Sequence, residues 1–231
     1  MFREVDGIFT EFFSNAGVSD SIRVTLIMAV FSTLISSVLG ILFGLWLERH
    51  DFFGKRLIVR INRTLMGLPP VVVGLITYML LMRRGPLGVL GWLFSIQGMV
   101  LAQTIIITPI IAGMVYTYAS RAAPEIRIFA KTMGANKLQI NKILLKEMRN
   151  EIYFAVVTGF GRSISEVGAV FLVGGNIKNN TRTMTTTITT LRSAGIFTDG
   201  IILGVALIIM AFIIQSVADW LRKEGKADEN Y

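Results

Sequence analysis

Arg162 and Glu166 stand four residues apart in an otherwise apolar stretch of the chain. On a helix that spacing puts both side chains on one face, where guanidinium and carboxylate neutralise each other. Ionisable groups inside a membrane span are expensive and mark functional sites by default. Two readings therefore fit the pair: a structural ion pair facing a bundle interior, or a gate or coupling element. Ser163 and Thr158 serve either reading. A second polar set, Gln103, Thr104, Thr108 and Pro109, interrupts another apolar run. Thr104 and Thr108 are one turn apart, so their hydroxyls either line a path or tie neighbouring helices together. Pro109 removes one backbone hydrogen bond and is expected to kink its helix. Between 174 and 200 lies a threonine-rich stretch with Thr181, Thr183, Thr185, Thr186, Thr187, Thr189, Thr190 and Thr198. Hydroxyls donate hydrogen bonds to an oxyanion without the grip of clustered arginines, although such a stretch also serves as an ordinary connection or a docking surface.

Much chemistry is excluded. The chain has no cysteine, which removes disulfides, thiolate ligands and thiol nucleophiles. His50 is the only histidine, so Ser-His catalysis and paired-histidine metal sites lack their parts. No catalytic residue and no metal site is expected. No G-x-x-x-x-G-K-[ST] loop is present, so any nucleotide-driven work draws on another polypeptide.

These side chains need elements to hold them, and composition says which. Charged residues make up 16% of the chain, well short of the quarter usual for a soluble domain, and mean hydropathy is +0.63. The surplus apolar surface needs a bilayer, whose core takes roughly 20 apolar residues as helix. An all-α membrane protein with five spans is expected, at about 24–47, 65–82, 98–118, 152–173 and 201–220. Residues 1–23 form an external amphipathic segment, with Phe2, Val5, Ile8, Phe9, Phe12 and Phe13 at helical spacing. Acidic Glu4 and Asp6 follow Arg3, and no small-x-small cleavage site appears, so the start reads as retained rather than as a signal peptide.

Orientation follows from the basic residues. Arg49, Lys55, Arg56, Arg60 and Arg63 follow the first span; Arg121, Arg127, Lys131, Lys137, Lys142, Lys146 and Arg149 follow the third; Arg222, Lys223 and Lys226 lie in the tail at 221–231. Fewer lie on the other side. The positive-inside rule then puts the N-terminus outside and the C-terminus in the cytoplasm, and explains the net charge of +8 without nucleic acid. The cytoplasmic stretch 119–151 reads as two short helices, one starting at Pro124, joined at Gly134. A compact helix pair of this kind can seat in a groove on another protein.

Several of these segments resemble ABC importer permeases. Ala130-Lys131-Thr132-Met133-Gly134-Ala135-Asn136 is similar to their cytoplasmic EAA loop: Ala130 matches its last alanine and Gly134 its glycine. Ile128 and Phe129 replace the usual Glu and Ala, and Leu144-Leu145-Lys146-Glu147 replaces the Ile-x-Leu-Pro end. Leu68-Pro69-Pro70-Val71-Val72-Val73-Gly74-Leu75 resembles the second-span signature of molybdate and tungstate permeases. Gly161-Arg162-Ser163-Ile164-Ser165-Glu166-Val167-Gly168-Ala169, with Gly175-Asn176-Ile177 and Thr181-Arg182-Thr183, resembles their fourth-span region. The wording of the Ser-Glu-Val-Gly-Ala segment favours the tungstate branch.

The resemblance implies a homodimer in the inner membrane, two copies of a cytoplasmic ATPase that bind ATP and Mg, and an external oxyanion-binding protein. This chain itself would hold no cofactor and be no enzyme. Ala130, Thr132, Met133, Gly134, Ala135, Asn136 and Lys137 would couple to the ATPase. Pro69, Pro70, Thr104, Thr108, Pro109, Ser163 and Glu166 are the candidates for the path or gate. The competing classes are an ion-driven secondary transporter, for which no repeat between halves is seen, an intramembrane enzyme, which lacks its catalytic partners, and a non-transporting scaffold.

Overall fold

The computed structural model describes residues 16–227, and within them every regular element is helical. The expected amphipathic segment at 1–23 lies largely outside the described residues, as does the end of the tail. The helices are α1 (Ala16–Arg49), α2 (Lys55–Met66), α3 (Pro70–Leu81), α4 (Ile96–Thr132), α5 (Lys137–Glu147), α6 (Arg149–Ser165), α7 (Gly168–Gly174), α8 (Met184–Ser193) and α9 (Phe197–Ala227).

Three helices, over Val18–Arg49, Ile96–Thr132 and Phe197–Ser216, are long and apolar enough to cross a bilayer unaided. Two bent helix pairs bring the number of crossings up to five if each is one span. Helices α2 and α3 meet at 102°, and α6 and α7 at 59°. The second span, expected as one run over 65–82, therefore starts afresh at Pro70. Pro70 takes the first helical position, where its missing N–H costs nothing. Before it, α2 is amphipathic: Leu57, Ile61 and Leu65 fall along one side, Arg56, Arg60 and Arg63 along another. The fourth span is likewise interrupted, because Glu166 has extended backbone angles and ends α6.

The helix that holds the third expected span runs much further than 118. Helix α4 is 37 residues long and holds both Pro109 and Pro124 inside it. At 1.5 Å per residue it is about 55 Å, so it overshoots a 30 Å hydrocarbon core by a wide margin. Pro124 does not start a new helix, because tertiary packing carries the old one through. Ala119 and Ala123 are buried against Leu144 of α5 and Met148 beyond it. Further along, Arg127 grips the end of α1 with two parallel bonds, Nη1 to Glu48 Oε1 at 2.8 Å and Nη2 to Oε2 at 2.6 Å. Near Pro109, Asn62 of α2 donates Nδ2 to the Pro109 carbonyl at 3.1 Å.

Helices α1 and α4 make the most extensive contact of the fold. Two glycines of α1 permit it: a Cβ on Gly40 would lie 2.8 Å from Ile111 Cβ, and one on Gly44 2.8 Å from the Ala112 carbonyl oxygen. Small residues at such crossings let backbones approach where lipid offers no hydrophobic drive. Below them the Glu48 carboxylate is 7% exposed and Arg127 28% exposed. Arg127→Gln should therefore cost about 2 kcal/mol, below the roughly 3–5 kcal/mol of breaking a fully buried pair, because Arg127 keeps some solvent. Thermal unfolding in detergent reads this, and Glu48→Gln in the same chain should recover part of the loss.

By contrast Leu203 is the one buried residue among those described in α9, which rests mainly on α8. A bond from Tyr153 Oη to Asp219 Oδ1 at 3.1 Å ties it to α6.

Candidate functional site

Two places concentrate the residues singled out by sequence. The first is the tip between α4 and α5. Gly134 has φ +78°, a left-handed conformation that a side chain resists. Around it Ala135 N donates to the Ala130 carbonyl at 2.9 Å and Gly134 N to that of Lys131 at 3.0 Å. This is the Schellman pattern, which closes the carbonyl end of α4. The next helix starts two residues later with a capping box. Asn136 Oδ1 accepts from Leu138 N and Gln139 N at 3.0 and 2.9 Å, and Gln139 Oε1 accepts from Asn136 N at 2.7 Å. Both helix ends are satisfied internally, so the turn is rigid. Its outer surface is apolar: Met133 is 73% and Leu138 80% exposed, with Ile128 and Phe129 beside them. A hollow of about 450 Å³ lies against Met133, Gly134, Gln139 and Ile143. Exposed apolar clusters rimmed by charge mark contact surfaces.

The second place is where the two bent helix pairs meet. A Cβ on Gly168, at the start of α7, would lie 2.6 Å from Val71 Cγ2, at the start of α3. A Cβ on Gly74 would lie 2.6 Å from Ala169 Cα. The two half-helices thus begin side by side and pack backbone to backbone. Glu166 fills the break. Its Oε1 accepts from Gly168 N at 2.8 Å and more weakly from Ala169 N at 3.4 Å; its Oε2 faces Arg162 Nη2 at 3.4 Å. The carboxylate so caps α7 and offsets the guanidinium at once. It is 6% exposed, whereas Arg162 keeps 40% exposure.

Residues 36–224 match the family described as binding-protein-dependent transport system inner membrane components. The chain belongs to this family. It is a permease subunit of an ABC transporter, a multi-pass inner-membrane protein and no enzyme itself; its partners are an ATPase subunit and a substrate-binding protein. The permease is 39% identical over 193 residues to a tungstate uptake system permease protein of Peptoclostridium acidaminophilum, covering 84% of this chain and 85% of the relative. It is 34% identical over 199 residues to a probable anion ABC transporter permease protein of Haloferax volcanii, covering 84% and 86%. A tungstate uptake system permease protein of Campylobacter jejuni is 32% identical over 216 residues, covering 94% and 90%.

Within the permease the residues chosen from sequence separate by what they do locally. Met133, Gly134, Ala135, Asn136 and Lys137 gather at the tip. Ala130 is buried beneath it, and Thr132 Oγ1 is spent on the Phe129 carbonyl at 2.7 Å. Pro69, Pro70 and Glu166 come together at the double break. Ser163 is fully buried and bonds Ser32 of α1 at 2.9 Å. Thr104 Oγ1 bonds its own helix at the Val100 carbonyl, 2.8 Å away, while Thr108 Oγ1 is buried without a partner.

The threonine-rich stretch is not a loop over most of its length. It contains α8, and Thr183, Thr185 and Thr186 are buried. Thr183 and Thr186 form a capping box, Thr185 Oγ1 donates to the Glu166 carbonyl at 3.0 Å, and Met184 N donates to Thr25 Oγ1 at 2.9 Å. These hydroxyls brace the break against α1.

The strongest polar signal outside the chosen set is Gln103. It is fully buried, and neither Nε2 nor Oε1 finds a hydrogen-bond partner. It lies one turn from Met99, which packs with Met28 and Val170, and one turn from Ile107, which faces Gly159. An unpaired buried amide costs roughly 1–3 kcal/mol or more. The amide in an apolar run was visible in the sequence; that both its atoms go unpaired was not.

Proposed function

We propose that this permease moves tungstate, or the near-isosteric molybdate, into the cytoplasm through a homodimer by alternating access. The observation that carries the reading is the match, over more than four fifths of the chain, to two tungstate uptake permeases and an anion permease. The double break supports it, since transporters place broken helices at substrate sites. Arg162 adds a partly exposed positive charge there, and Gln103 and Thr108 hold unspent polar groups on α4. Val72, Leu75, Ile76 and Met79 form one exposed apolar face of α3, suited to a second copy across a shared path.

In this reading the N-terminus is outside, and the α4–α5 tip, in the cytoplasm, seats in the ATPase. ATP-driven closure of two ATPases pushes two tips, and the spans reorient around the break. The five spans, with the chain's tail inside, form a single permease domain.

Reconstitution with the cognate ATPase and binding protein tests the proposal. Loaded binding protein should stimulate ATP hydrolysis, and unlabelled tungstate or molybdate should compete with labelled tungstate for uptake while sulfate does not. Competition by sulfate alone would move the assignment to sulfate transport. Gly134→Val puts a β-branched residue at positive φ and should reduce stimulation at least fivefold with membrane insertion intact; unaltered coupling would remove the tip from the mechanism.

A further inference from the structure

We propose that the groove between the end of α1 and helix α5 binds one anionic phospholipid of the inner leaflet. Two hollows adjoin there, of about 260 and 230 Å³, sharing Arg49, Arg127 and Asn141. The first is basic, with Lys131 and Lys137 on its wall. The second is lined mainly by apolar groups, Leu45, Trp46, Leu144 and Leu145, with His50 and the Arg127-paired Glu48 also on its wall. Arg127 is committed to Glu48, but Arg49, Lys131 and Lys137 form no ion pair among the described residues. Lys131 and Lys137 at one end of the groove, Arg49 where the hollows join, and an indole with leucines at the other end match a phosphate headgroup joined to acyl chain.

Position argues the same way. Trp46 is half-exposed and lies against His50 and Phe52 with ring centroids 5.5 Å away in both cases. Aromatic side chains of this kind collect at the membrane–water boundary, and basic side chains just beyond it attract anionic headgroups. A free oxyanion fits only the basic half and leaves the apolar half empty. A lipid seated here touches the end of α1 and the inner face of α5 together, and so stiffens the join between span and tip. The inner-leaflet assignment rests on the cytoplasmic placement of the tip proposed above.

The test uses the assembled permease and ATPase in detergent, titrated with phosphatidylglycerol or phosphatidylcholine and read by native mass spectrometry. One phosphatidylglycerol per permease chain should be retained. Arg49→Gln with Lys131→Gln, both at exposed positions, should weaken that retention roughly tenfold or more; the charge-keeping pair Arg49→Lys and Lys131→Arg should restore it, and Lys178→Gln should leave it unchanged. Retention of phosphatidylglycerol undiminished in the double variant overturns the proposal. So does displacement of the lipid by sodium tungstate or inorganic phosphate alone, which marks a free-anion site. Loss of the ATPase with lipid retained marks a protein contact and overturns it too. The side of the membrane is read separately: the chain has no cysteine, so Met133→Cys offers a single thiol for a membrane-impermeant maleimide. Labelling from outside would sink the topology while the detergent titration still judges the lipid groove.

Discussion

Alanine at Gly74 should cut substrate uptake at least tenfold and lower the thermal stability of the permease. The new Cβ would sit 2.6 Å from Ala169 Cα and 3.3 Å from both its Cβ and its carbonyl oxygen. The nearest obstacle is backbone, so no rotamer change relieves it, and α3 must move off α7. Those two half-helices share a core of Val73, Leu81, Ala169 and Val173 with Ala102 and Ile106 of α4. Overpacking of this type costs about 1–3 kcal/mol, and here the displacement falls where both broken spans begin. Leucine at the same position should prevent assembly of the bundle altogether. Gly204→Ala is the matched control: nothing lies within 4 Å of its Cβ, and alanine is the better helix former. Normal uptake by Gly74→Ala would mean that the α3–α7 contact is not needed for transport.

The second large effect is expected at Glu166. Glu166→Ala uncaps α7 and leaves Arg162 without its counter-charge, at about 2–3 kcal/mol; the figure is reduced from the buried-pair range because Arg162 keeps solvent. Glu166→Gln retains an amide oxygen for Gly168 N and Ala169 N, so its stability loss should be about 1 kcal/mol. The two variants separate cap from charge. If the carboxylate only supports the fold, Glu166→Gln transports nearly as well as the parent. If its charge sets the field at the break, Glu166→Gln folds well yet changes uptake several-fold. Melting temperature and initial uptake rate, measured together, give the answer, and the double variant with Arg162→Gln closes a cycle for the pair.

Much of this architecture was legible because long apolar runs have few explanations. The runs opening at Val24, Gly98 and Ile201 lie within the three unbroken membrane-length helices. The breaks were hidden because hydropathy is similar on both sides of a bend. Pro69-Pro70 was visible as a disruption, but nothing local says that α2 turns by 102° rather than kinks. At Glu166 the spacing to Arg162 suited a continuous helix, and the ion pair survives although α6 ends at Ser165. Pro124 misled for the opposite reason: its local preference is overridden by the packing of Ala119 and Ala123 and by the Arg127–Glu48 pair. At the tip Gly134 was read as the join; the capping box from Asn136 to Gln139 was not, although caps are written in adjacent residues. The burial of Thr183, Thr185 and Thr186 could not be read, because it depends on Thr25 and Glu166, far away in the chain.

The glycine crossing at Gly40 and Gly44 and the ion pair at Glu48 fasten α1 to α4 at two levels. Two rods pinned twice cannot scissor; they tilt together as one beam. With a beam of about 55 Å, a nudge of about 3 Å at its lower end corresponds to roughly 3° of tilt. The two fastenings flank Pro124 of α4, so the helix is braced where its hydrogen-bond ladder is broken and that small rotation is not lost there.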